Sequence, residues 1–316
     1  ERLNAILDPD TFFLELYNMA NYLVEDTNHD TSIPGANLIA GIGYISGVKC
    51  MIMIDDSGIK AGAASEATID KALGCLDIAL KQKLPCVHLV ESAGVDLPNY
   101  SVKLWSKFGS VFYKKAKLSA AGIPVIAILH GFSTAGGAYQ IGMSDYVIGV
   151  KGNGMAALAG SALLKAATGE NATNSDIGGV EMHSVVTGSV EYLVNDDAES
   201  IITVRKLIDQ LNWNENDAQK TTLNFEDPEY PIEDLAGIVP TDYSKGYDVR
   251  EVIARLVDQS VFIELKPKYG ISMVCAQAKI EGIQCGIIAN NGPIDTKGAT
   301  KAAQFIQLCD QANVPL

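Results

Sequence analysis

An internal repeat constrains the fold of this 316-residue chain more than any other feature of its sequence. Three blocks recur in the same order, with small changes of length between them. The blocks are residues 13–16 and 262–265, residues 47–54 and 282–289, and the pairs 71–72 with 84–85 and 301–302 with 314–315. Collinear blocks of this kind indicate a duplicated domain. The second copy ends at Leu316, where the first copy enters a strand beginning at Cys86, so we expect the sequence to stop inside a domain.

Within the first copy, strand-like apolar runs alternate with helical patterns. We predict strands at residues 39–46, 50–55, 87–91, 125–130 and 146–150, and helices at residues 68–83, 105–121 and 135–143. Strands that alternate with helices through short connections are typical of an α/β fold with a parallel sheet and right-handed crossovers. The acidic segment 212–235 has no periodicity and indicates a linker. The expected organisation is a first domain at residues 1–215, a linker at 216–240 and the start of a second domain at 241–316.

Charge and cysteine content exclude several classes of protein. A net charge of −14 repels nucleic acid and anionic membrane surfaces, so neither is an expected partner. The longest apolar stretches, such as residues 124–129, are too short to span a bilayer, and residues 1–10 do not resemble a secretion signal. The six cysteines form no C-x-x-C pair, which predicts reduced, buried thiols and excludes a zinc ribbon within these residues. We therefore expect a reducing compartment, the cytoplasm or an organelle matrix.

Two glycine-rich segments follow predicted strands. Residues 89–94 end in Ala93-Gly94, and residues 130–139 run from a strand through a tight turn to Gly136-Gly137 at the start of a helix. Paired glycines at a helix N-terminus leave backbone N–H groups unpaired and admit a ligand without a Cβ clash. The helix dipole adds partial positive charge, which suits a developing enolate or oxyanion. Close packing of the helix on a strand would also require small residues at these positions.

A third segment, residues 57–65, is a loop of small residues before a helix. A nucleotide lying against Gly62 and Ala63 would bring a phosphate close to Lys60. A plain surface loop would have the same composition, so both interpretations stay open.

The histidines and the strand-end acids have simpler interpretations. His88 and His130 lie in apolar strand runs, which favours hydrogen-bonded core histidines over metal ligands. Asp55 is interpreted as a solvated charge at the end of a strand. None of the four histidines has a spacing that indicates a metal site.

Several motifs taken together resemble one known family. The matching segments are residues 47–52, 84–94, 134–139, 165–170 and 177–183, with Thr187-Gly188 after the last. They are similar to the carboxyltransferase (β) subunits of biotin-dependent acyl-CoA carboxylases, nearest the methylcrotonyl-CoA and geranyl-CoA carboxylase branch. The resemblance implies the crotonase-like ββα superhelix of the ClpP/crotonase superfamily, duplicated, with the second copy truncated. It also implies that the first copy chiefly holds CoA and the second biotin, so that the biotin-side residues lie beyond Leu316.

The same resemblance implies roles for particular residues. The expected catalytic donors are the Gly136 and Gly137 amides, which would stabilise the enolate oxygen of an acyl-CoA thioester. The residues expected to contact the substrate are Ala93, Gly94, Ala135 and Ala138. We expect Gly137→Val to abolish transfer while leaving the fold intact.

The resemblance also implies cofactors and partners. Carboxybiotin would arrive on a biotin carboxylase or biotin carrier subunit, CoA would be part of the substrate, and no metal would be used. The subunit would form a dimer-based homo-oligomer, a hexamer, in the cytoplasm or in the mitochondrial matrix of a eukaryote.

Alternatives to this function remain open. The sequence departs from the family pattern at residues 95–100 and 155–161, close to where an acyl chain should run, so the acyl group is undefined. A biotin-dependent acyl-CoA decarboxylase would use the same chemistry in reverse, and a non-catalytic CoA-binding scaffold would need only the CoA site. A serine hydrolase would use Ser133 in a strand–turn–helix elbow, with Asp176 and His183 following in hydrolase order.

Overall fold

The computed structural model describes residues 1–99, 101–211, 213, 225–242 and 244–316. The chain divides into two compact units, Glu1–Lys206 and Leu207–Leu316. The domain boundary expected at residue 215 and the beginning of the expected linker lie outside the described residues. The later part of that linker contains two short helical turns, at Ile232–Asp234 and Leu235–Ile238.

The first unit is an α/β structure. Its strands are β1 (Leu14–Glu15), β2 (Leu38–Ile45), β3 (Val48–Asp55), β4 (Cys86–Val90), β5 (Val125–Leu129), β6 (Phe132–Thr134), β7 (Tyr146–Val150), β8 (Met155–Ala157) and β9 (Tyr192–Val194). Its helices are α1 (Arg2–Ile6), α2 (Glu66–Gln82), α3 (Val102–Ala120), α4 (Gly136–Gly142), α5 (Ser161–Thr168), α6 (Asn174–Gly178) and α7 (Val180–Met182). A π-helical turn, His183–Thr187, extends α7, and α8 (Asp197–Gln210) follows β9.

A seven-stranded sheet organises this unit, in the order β1-β2-β3-β4-β5-β7-β9. The first three strands are antiparallel, and β3, β4, β5, β7 and β9 pair in parallel. Helices α2 and α3 connect successive parallel strands, as crossovers must. The predicted α/β fold with a parallel sheet is confirmed, and each predicted strand and helix of the first copy lies within three residues of its expected bounds. Strands β6 and β8 form a separate parallel pair.

The centre of the sheet is covered on both faces. Strands β4, β5 and β7 are buried along their whole length. Parallel strands in such a position are continuous apolar runs rather than alternating ones, and this is how they appear in the sequence. All six cysteines are free thiols; five are buried and Cys285 is half-buried.

The described residues of the second unit form a small antiparallel sheet with helices. Its elements are α9 (Leu235–Ile238), α10 (Val249–Ile253), β10 (Phe262–Glu264), β11 (Met273–Ile280), β12 (Ile283–Asn290) and α11 (Thr296–Ala312). The strand order is β10-β11-β12. Strand β12 therefore carries the sequence that repeats β3, and each of the two is the second strand of a hairpin that precedes a 17-residue helix.

Candidate functional site

The glycine-rich turns lie at the carboxyl ends of neighbouring parallel strands. After β5 the chain passes through β6 and turns sharply at Ala135 into α4. Ala135 has φ 49° and ψ −120°, a conformation that a residue with a side chain rarely adopts. Its amide donates to the carbonyls of Ala157 and Leu158, at 3.0 and 3.1 Å, and these bonds hold the turn against β8.

The first two amides of α4 belong to Gly136 and Gly137, as predicted. Amides in the first turn of a helix have no intrahelical acceptor. Among the described residues, neither amide has a backbone acceptor, whereas the next amide, that of Ala138, donates to the Ala135 carbonyl at 3.1 Å. The turn therefore presents two successive N–H groups that can donate to an anionic oxygen.

The same two glycines are also required by packing. A Cβ built on Gly136 would lie 2.2 Å from Cε1 of Phe108, and one built on Gly137 would lie 2.3 Å from the carbonyl oxygen of Ser92. The expectation that Gly137→Val would leave the fold intact is therefore wrong, because the nearest atom is backbone and cannot rotate away. Close packing therefore requires both glycines, and it leaves their amides without a backbone acceptor among the described residues.

Gly94 lies directly against the start of α4. It has φ 91°, and a Cβ built on it would be 3.2 Å from the Thr134 carbonyl oxygen and 3.3 Å from the Gly136 nitrogen. Its own amide donates to the Ser92 hydroxyl at 3.2 Å. The structure thus brings together Gly94 and Gly136, which lie 42 positions apart in the sequence.

The loop predicted to bind nucleotide is fastened to the segment after β4. Gly62 has φ 72°, and its carbonyl accepts from the Ser92 hydroxyl at 2.9 Å. The Ala93 amide donates to the Ala61 carbonyl at 3.1 Å, and the Ala64 amide donates to the Gly94 carbonyl at 2.7 Å. The loop and the β4 end therefore form one continuous wall.

Lys60 lies on this wall but already has anionic partners. Its ammonium is 3.0 Å from a Glu25 carboxylate oxygen and 3.2 Å from one of Asp96. The hydrogen bond to Glu25, supported by Asp96, raises the pKa of Lys60 against the opposing effect of burial. The lysine is a permanent cation, and a phosphate would have to compete with two carboxylates for it.

Two cavities adjoin these turns. One, of about 490 Å³, is lined by Lys60, Ala63, Ala93, Val95, Asp96, Pro98 and Asn99. The other, of about 280 Å³ and mostly apolar, is lined by Ala135, Ala138, Tyr139, Ile141, Gly142, Ala156, Ala157, Leu158, His183, Ser189 and Val190. The contact between Gly94 and Gly136 links the walls of the two cavities, because each glycine directly follows a lining alanine.

Sequence reasoning missed a chain of buried polar groups beneath this site. Asp55 is not a solvated strand-end charge: its carboxylate accepts from His88 Nε2 at 3.0 Å and from the Glu91 amide at 3.1 Å. The Lys115 ammonium lies 3.2 Å from His88 Nδ1. Lys115 lies on the buried face of α3, at the helical spacing of the apolar residues on that face. A lysine at such a position was the signal in the sequence that could have revealed the buried ammonium. The buried residues of that face are Leu104, Phe108, Val111, Lys115 and Leu118.

The two core histidines differ. His88 is hydrogen-bonded, as predicted. Neither ring nitrogen of the buried His130 has a hydrogen-bond partner among the described residues, although Nδ1 lies 3.5 Å from the Glu91 carboxylate. Burial lowers the pKa of His130, with a smaller contribution from Arg2, so its imidazole is neutral at pH 7.

The residues of a serine hydrolase triad are engaged elsewhere. The Ser133 side chain is fully buried, and its hydroxyl has no hydrogen-bond partner in the described part of the chain. The Asp176 carboxylate accepts from the Thr173 hydroxyl at 2.6 Å. His183 uses one ring nitrogen on the Ala156 carbonyl, at 2.8 Å, and the other on the Thr187 hydroxyl, at 2.9 Å. A nucleophile–base–acid relay is not formed.

Two other kinds of feature are absent from the described part of the chain. Over the described ranges, no group of three or more His, Cys, Asp or Glu side chains is placed to hold a metal ion. Over the same ranges, no helix has both the length and the apolar character needed to cross a bilayer.

Comparison with known proteins agrees with this architecture. The family model of the carboxyl transferase domain matches residues 1–316. The chain belongs to this family. It is 40% identical to the mitochondrial methylcrotonoyl-CoA carboxylase beta chain of Dictyostelium discoideum, over all of this chain and 53% of that protein.

Solved structures give the same result. The chain is 44% identical to the beta subunit of geranyl-CoA carboxylase from P. aeruginosa, with a TM-score of 0.61, over all of this chain and 58% of that one. It is 31% identical to transcarboxylase 12S, described as a hexamer with hydrolysed methylmalonyl-coenzyme A bound, with a TM-score of 0.89 over all of this chain and 63% of that one. The chain thus spans between about half and two thirds of the length of these relatives.

Proposed function

We propose that this chain is part of the carboxyltransferase subunit of a biotin-dependent acyl-CoA carboxylase. The observation that carries the proposal is the pair of free amides at Gly136 and Gly137, held against Gly94 at the edge of the sheet, in a chain of the carboxyl transferase family. The reaction is carboxylation of an acyl-CoA at the α carbon or the vinylogous γ carbon, through its enolate.

The proposed mechanism relies on donors and orientation rather than on a nucleophile. The thioester oxygen accepts from the Gly136 and Gly137 amides, and negative charge on that oxygen grows as the substrate loses its proton. Preorganised donors of this kind contribute about 3–4 kcal/mol each to transition-state stabilisation. Gly94 and Ala93 form the neighbouring wall, while Ala135 and Ala138 line the apolar cavity and exclude water from the acyl group.

For the CoA moiety we propose the wall formed by the loop at Lys60, Gly62 and Ala63. The adjoining cavity of about 490 Å³ supports this assignment. In the complex, a CoA phosphate takes the place of a carboxylate beside the Lys60 ammonium.

For the rest of the subunit we propose a duplicated crotonase-like fold with the biotin side on the second copy. The hairpin and helix shared by the two units support the duplication. When bound, carboxybiotin would supply the CO2, and its ureido nitrogen would accept the proton that the acyl-CoA loses. The described residues of the second unit hold no counterpart of the α4 turn, so they offer no second pair of amides for biotin.

The proposed partners and location rest on the relatives. We propose a biotin carboxylase or carrier subunit as partner and a dimer-based hexamer as the assembly, which the description of the 12S structure as a hexamer supports. The location is the cytoplasm, or the mitochondrial matrix in a eukaryote, as in the Dictyostelium relative.

The test is a carboxylation assay of the complete subunit with its biotin-carrying partner, ATP and labelled bicarbonate. Short, branched and long acyl-CoAs are compared. We expect label to appear in at least one acyl-CoA, with apolar acyl groups preferred because the 280 Å³ cavity is mostly apolar. Carboxylated biotin without label in any acyl-CoA would refute the proposal, and decarboxylation alone would indicate the reverse enzyme.

A further inference from the structure

A continuous chain of hydrogen bonds runs through the core from β3 to α4. The Asp55 carboxylate, at the end of β3, accepts from His88 Nε2 at 3.0 Å. Nδ1 of His88, in β4, accepts from the Lys115 ammonium of α3 at 3.2 Å. The same ammonium donates to the Gln140 carbonyl of α4 at 3.3 Å. Four elements are thus joined through a single buried lysine.

Burial makes this chain energetically demanding. Lys115 is 0% exposed and His88 is 4% exposed. A buried ammonium is tolerated only when it is paired and hydrogen-bonded. Here the Asp55 carboxylate balances its charge through the imidazole, whose two nitrogens are both used. Each member of the chain therefore fixes the position of the next.

Charge states agree with this geometry. Burial lowers the pKa of Lys115 to about 8, so the ammonium predominates at pH 7. Burial also lowers the pKa of His88, which therefore stays neutral and can donate from Nε2 while accepting at Nδ1. Among the described residues, the Cys86 thiol also lies close enough to interact with Lys115, and burial raises the pKa of that thiol to about 11.

Helix α3 holds α4 near both of its ends. Lys115 contacts the last turn of α4, where a cation complements the helix dipole and the Ser144 hydroxyl also donates to the Gln140 carbonyl, at 2.8 Å. Phe108, which precedes Lys115 by about two turns of α3, packs against Gly136 in the first turn of α4. The direction of the two free amides therefore depends on how α3 and α4 are fixed to each other.

We infer that Lys115, oriented by His88 and Asp55, is a positioning residue that fixes α4 and so aims the Gly136 and Gly137 amides at the reacting oxygen. The inference rests on the proposed function. It assigns no contact with substrate to Lys115, which acts through the backbone of α4.

A matched pair of buried lysines tests this role in the complete subunit with its biotin partner. Lys115→Met removes the ammonium and keeps a chain of similar length. Lys71→Met is the control, because Lys71, on α2, is 1% exposed and its ammonium donates to the Gly35 carbonyl at 3.3 Å rather than to α4. We expect Lys115→Met to lower kcat about 10- to 100-fold with KM for acyl-CoA nearly unchanged, since small misplacements of catalytic groups cost this much. Lys71→Met should keep the wild-type kcat.

A second readout does not depend on turnover. In hydrogen exchange followed by mass spectrometry, the peptide covering α4 should exchange faster in Lys115→Met than in wild type or Lys71→Met. If the wild-type subunit carboxylates no acyl-CoA, the proposed function fails, and the exchange result still decides the positioning role. Equal kcat and equal α4 exchange in Lys115→Met and Lys71→Met would overturn the inference.

If Lys115→Met does not fold, two substitutions of His88 test the same positioning role. His88→Asn retains an acceptor for the Lys115 ammonium, whereas His88→Leu removes it. We expect kcat to fall in the order wild type, Asn, Leu, with a difference of about 10-fold between Asn and Leu. Identical kcat values in the two variants would refute a positioning role for the chain.

Discussion

The hairpins of the two units share one turn chemistry. Strands β2 and β3 are joined by Ser46 and Gly47, with φ of 49° and 75°, and strands β11 and β12 are joined by Glu281 and Gly282, with φ of 51° and 77°. Two consecutive residues with positive φ form the tight turn that matches the twist of antiparallel strands. The residue at the first position has a side chain and is strained by its positive φ, whereas the glycine at the second position has no Cβ and is not strained.

An aspartate from the preceding segment fastens each turn. Asp8 accepts from the Ser46 and Gly47 amides at 2.8 and 2.7 Å. Asp258 accepts from the two corresponding amides of the second hairpin, at the same distances. The sequence did not indicate a role for either aspartate, because the repeat was recognised chiefly from residues of the strands.

Beyond the hairpins the two units differ. In the first unit β3 pairs in parallel with β4, and residues 50–54 are buried. In the described part of the second unit β12 pairs only with β11 and is largely half-exposed. The hairpin and helix are therefore a shared scaffold, and the candidate chemistry belongs to β4, β5 and α4, which only the first unit contains among the described residues.

The largest effect on stability is expected in the part of the first unit that the second does not repeat. Gly137→Ala should lower the free energy of unfolding by about 1–3 kcal/mol, because its Cβ meets the Ser92 carbonyl at 2.3 Å. Gly109→Ala is the control, since an added Cβ there has no neighbour within 4 Å, and it should raise that free energy by about 1 kcal/mol. Urea unfolding measures both. A Gly137→Ala protein as stable as wild type would mean that α4 does not pack closely on residue 92.

The aspartate turns test the shared scaffold. Asp8→Asn and Asp258→Asn should each lower the free energy of unfolding by about 1–2 kcal/mol, because each leaves turn amides with a weaker acceptor. The cost should be greater at Asp8, which Arg205 also contacts at 2.7 Å. Loss of stability in only one of the two variants would show that the turns are not equivalent.

Asp8 also makes a pH-dependent contribution. Burial raises its pKa, but hydrogen bonds from the Gly47 amide, Arg205 and the Ser46 amide outweigh burial and hold the pKa below the usual 3.8. The stabilisation is thus complete above the usual value and is lost as pH falls through the lowered pKa. The difference in unfolding free energy between wild type and Asp8→Asn should disappear in acid.

The smallest effect concerns the N-termini of the two 17-residue helices. Ser65 caps α2 by accepting from the Thr68 amide, and Asp295 caps α11 by accepting from the Gly298 amide at 2.6 Å. The hydrogen bond from Gly298 lowers the pKa of Asp295, so its cap is present above the usual pKa and lost as pH falls through the lowered value. When the pH falls from neutral to about 2 to 3, the first-turn amides of α11 should lose more protection against hydrogen exchange than the first-turn amides of α2. Equal loss in both helices would contradict the comparison.

The sequence predicted the elements better than the contacts between them. Buried parallel strands such as β5 are apolar runs, and the paired glycines at 136 and 137 mark a helix start, so both were visible locally. The contact of Gly94 with Gly136 depends on strand order, which composition does not reveal. The positive φ of Ala135 was hidden because alanine does not indicate such a turn.

Buried charges were the least predictable part of the site. Asp55, the last residue of the apolar strand β3, has the local sequence of a solvated residue, and only tertiary packing brings His88 and Lys115 to it. The partners of Lys60 come from positions 25 and 96, on separate loops. Local patterns do not encode such long-range pairing.

The central claim is that the first unit builds the acyl-CoA side of a site that is completed by a second copy of the fold. The most direct measurement is a side-by-side assay of residues 1–316 and the complete subunit, each with free carboxybiotin and the same acyl-CoA. We expect both proteins to bind acyl-CoA, and only the complete subunit to carboxylate it. Measurable carboxylation by residues 1–316 alone would contradict the claim.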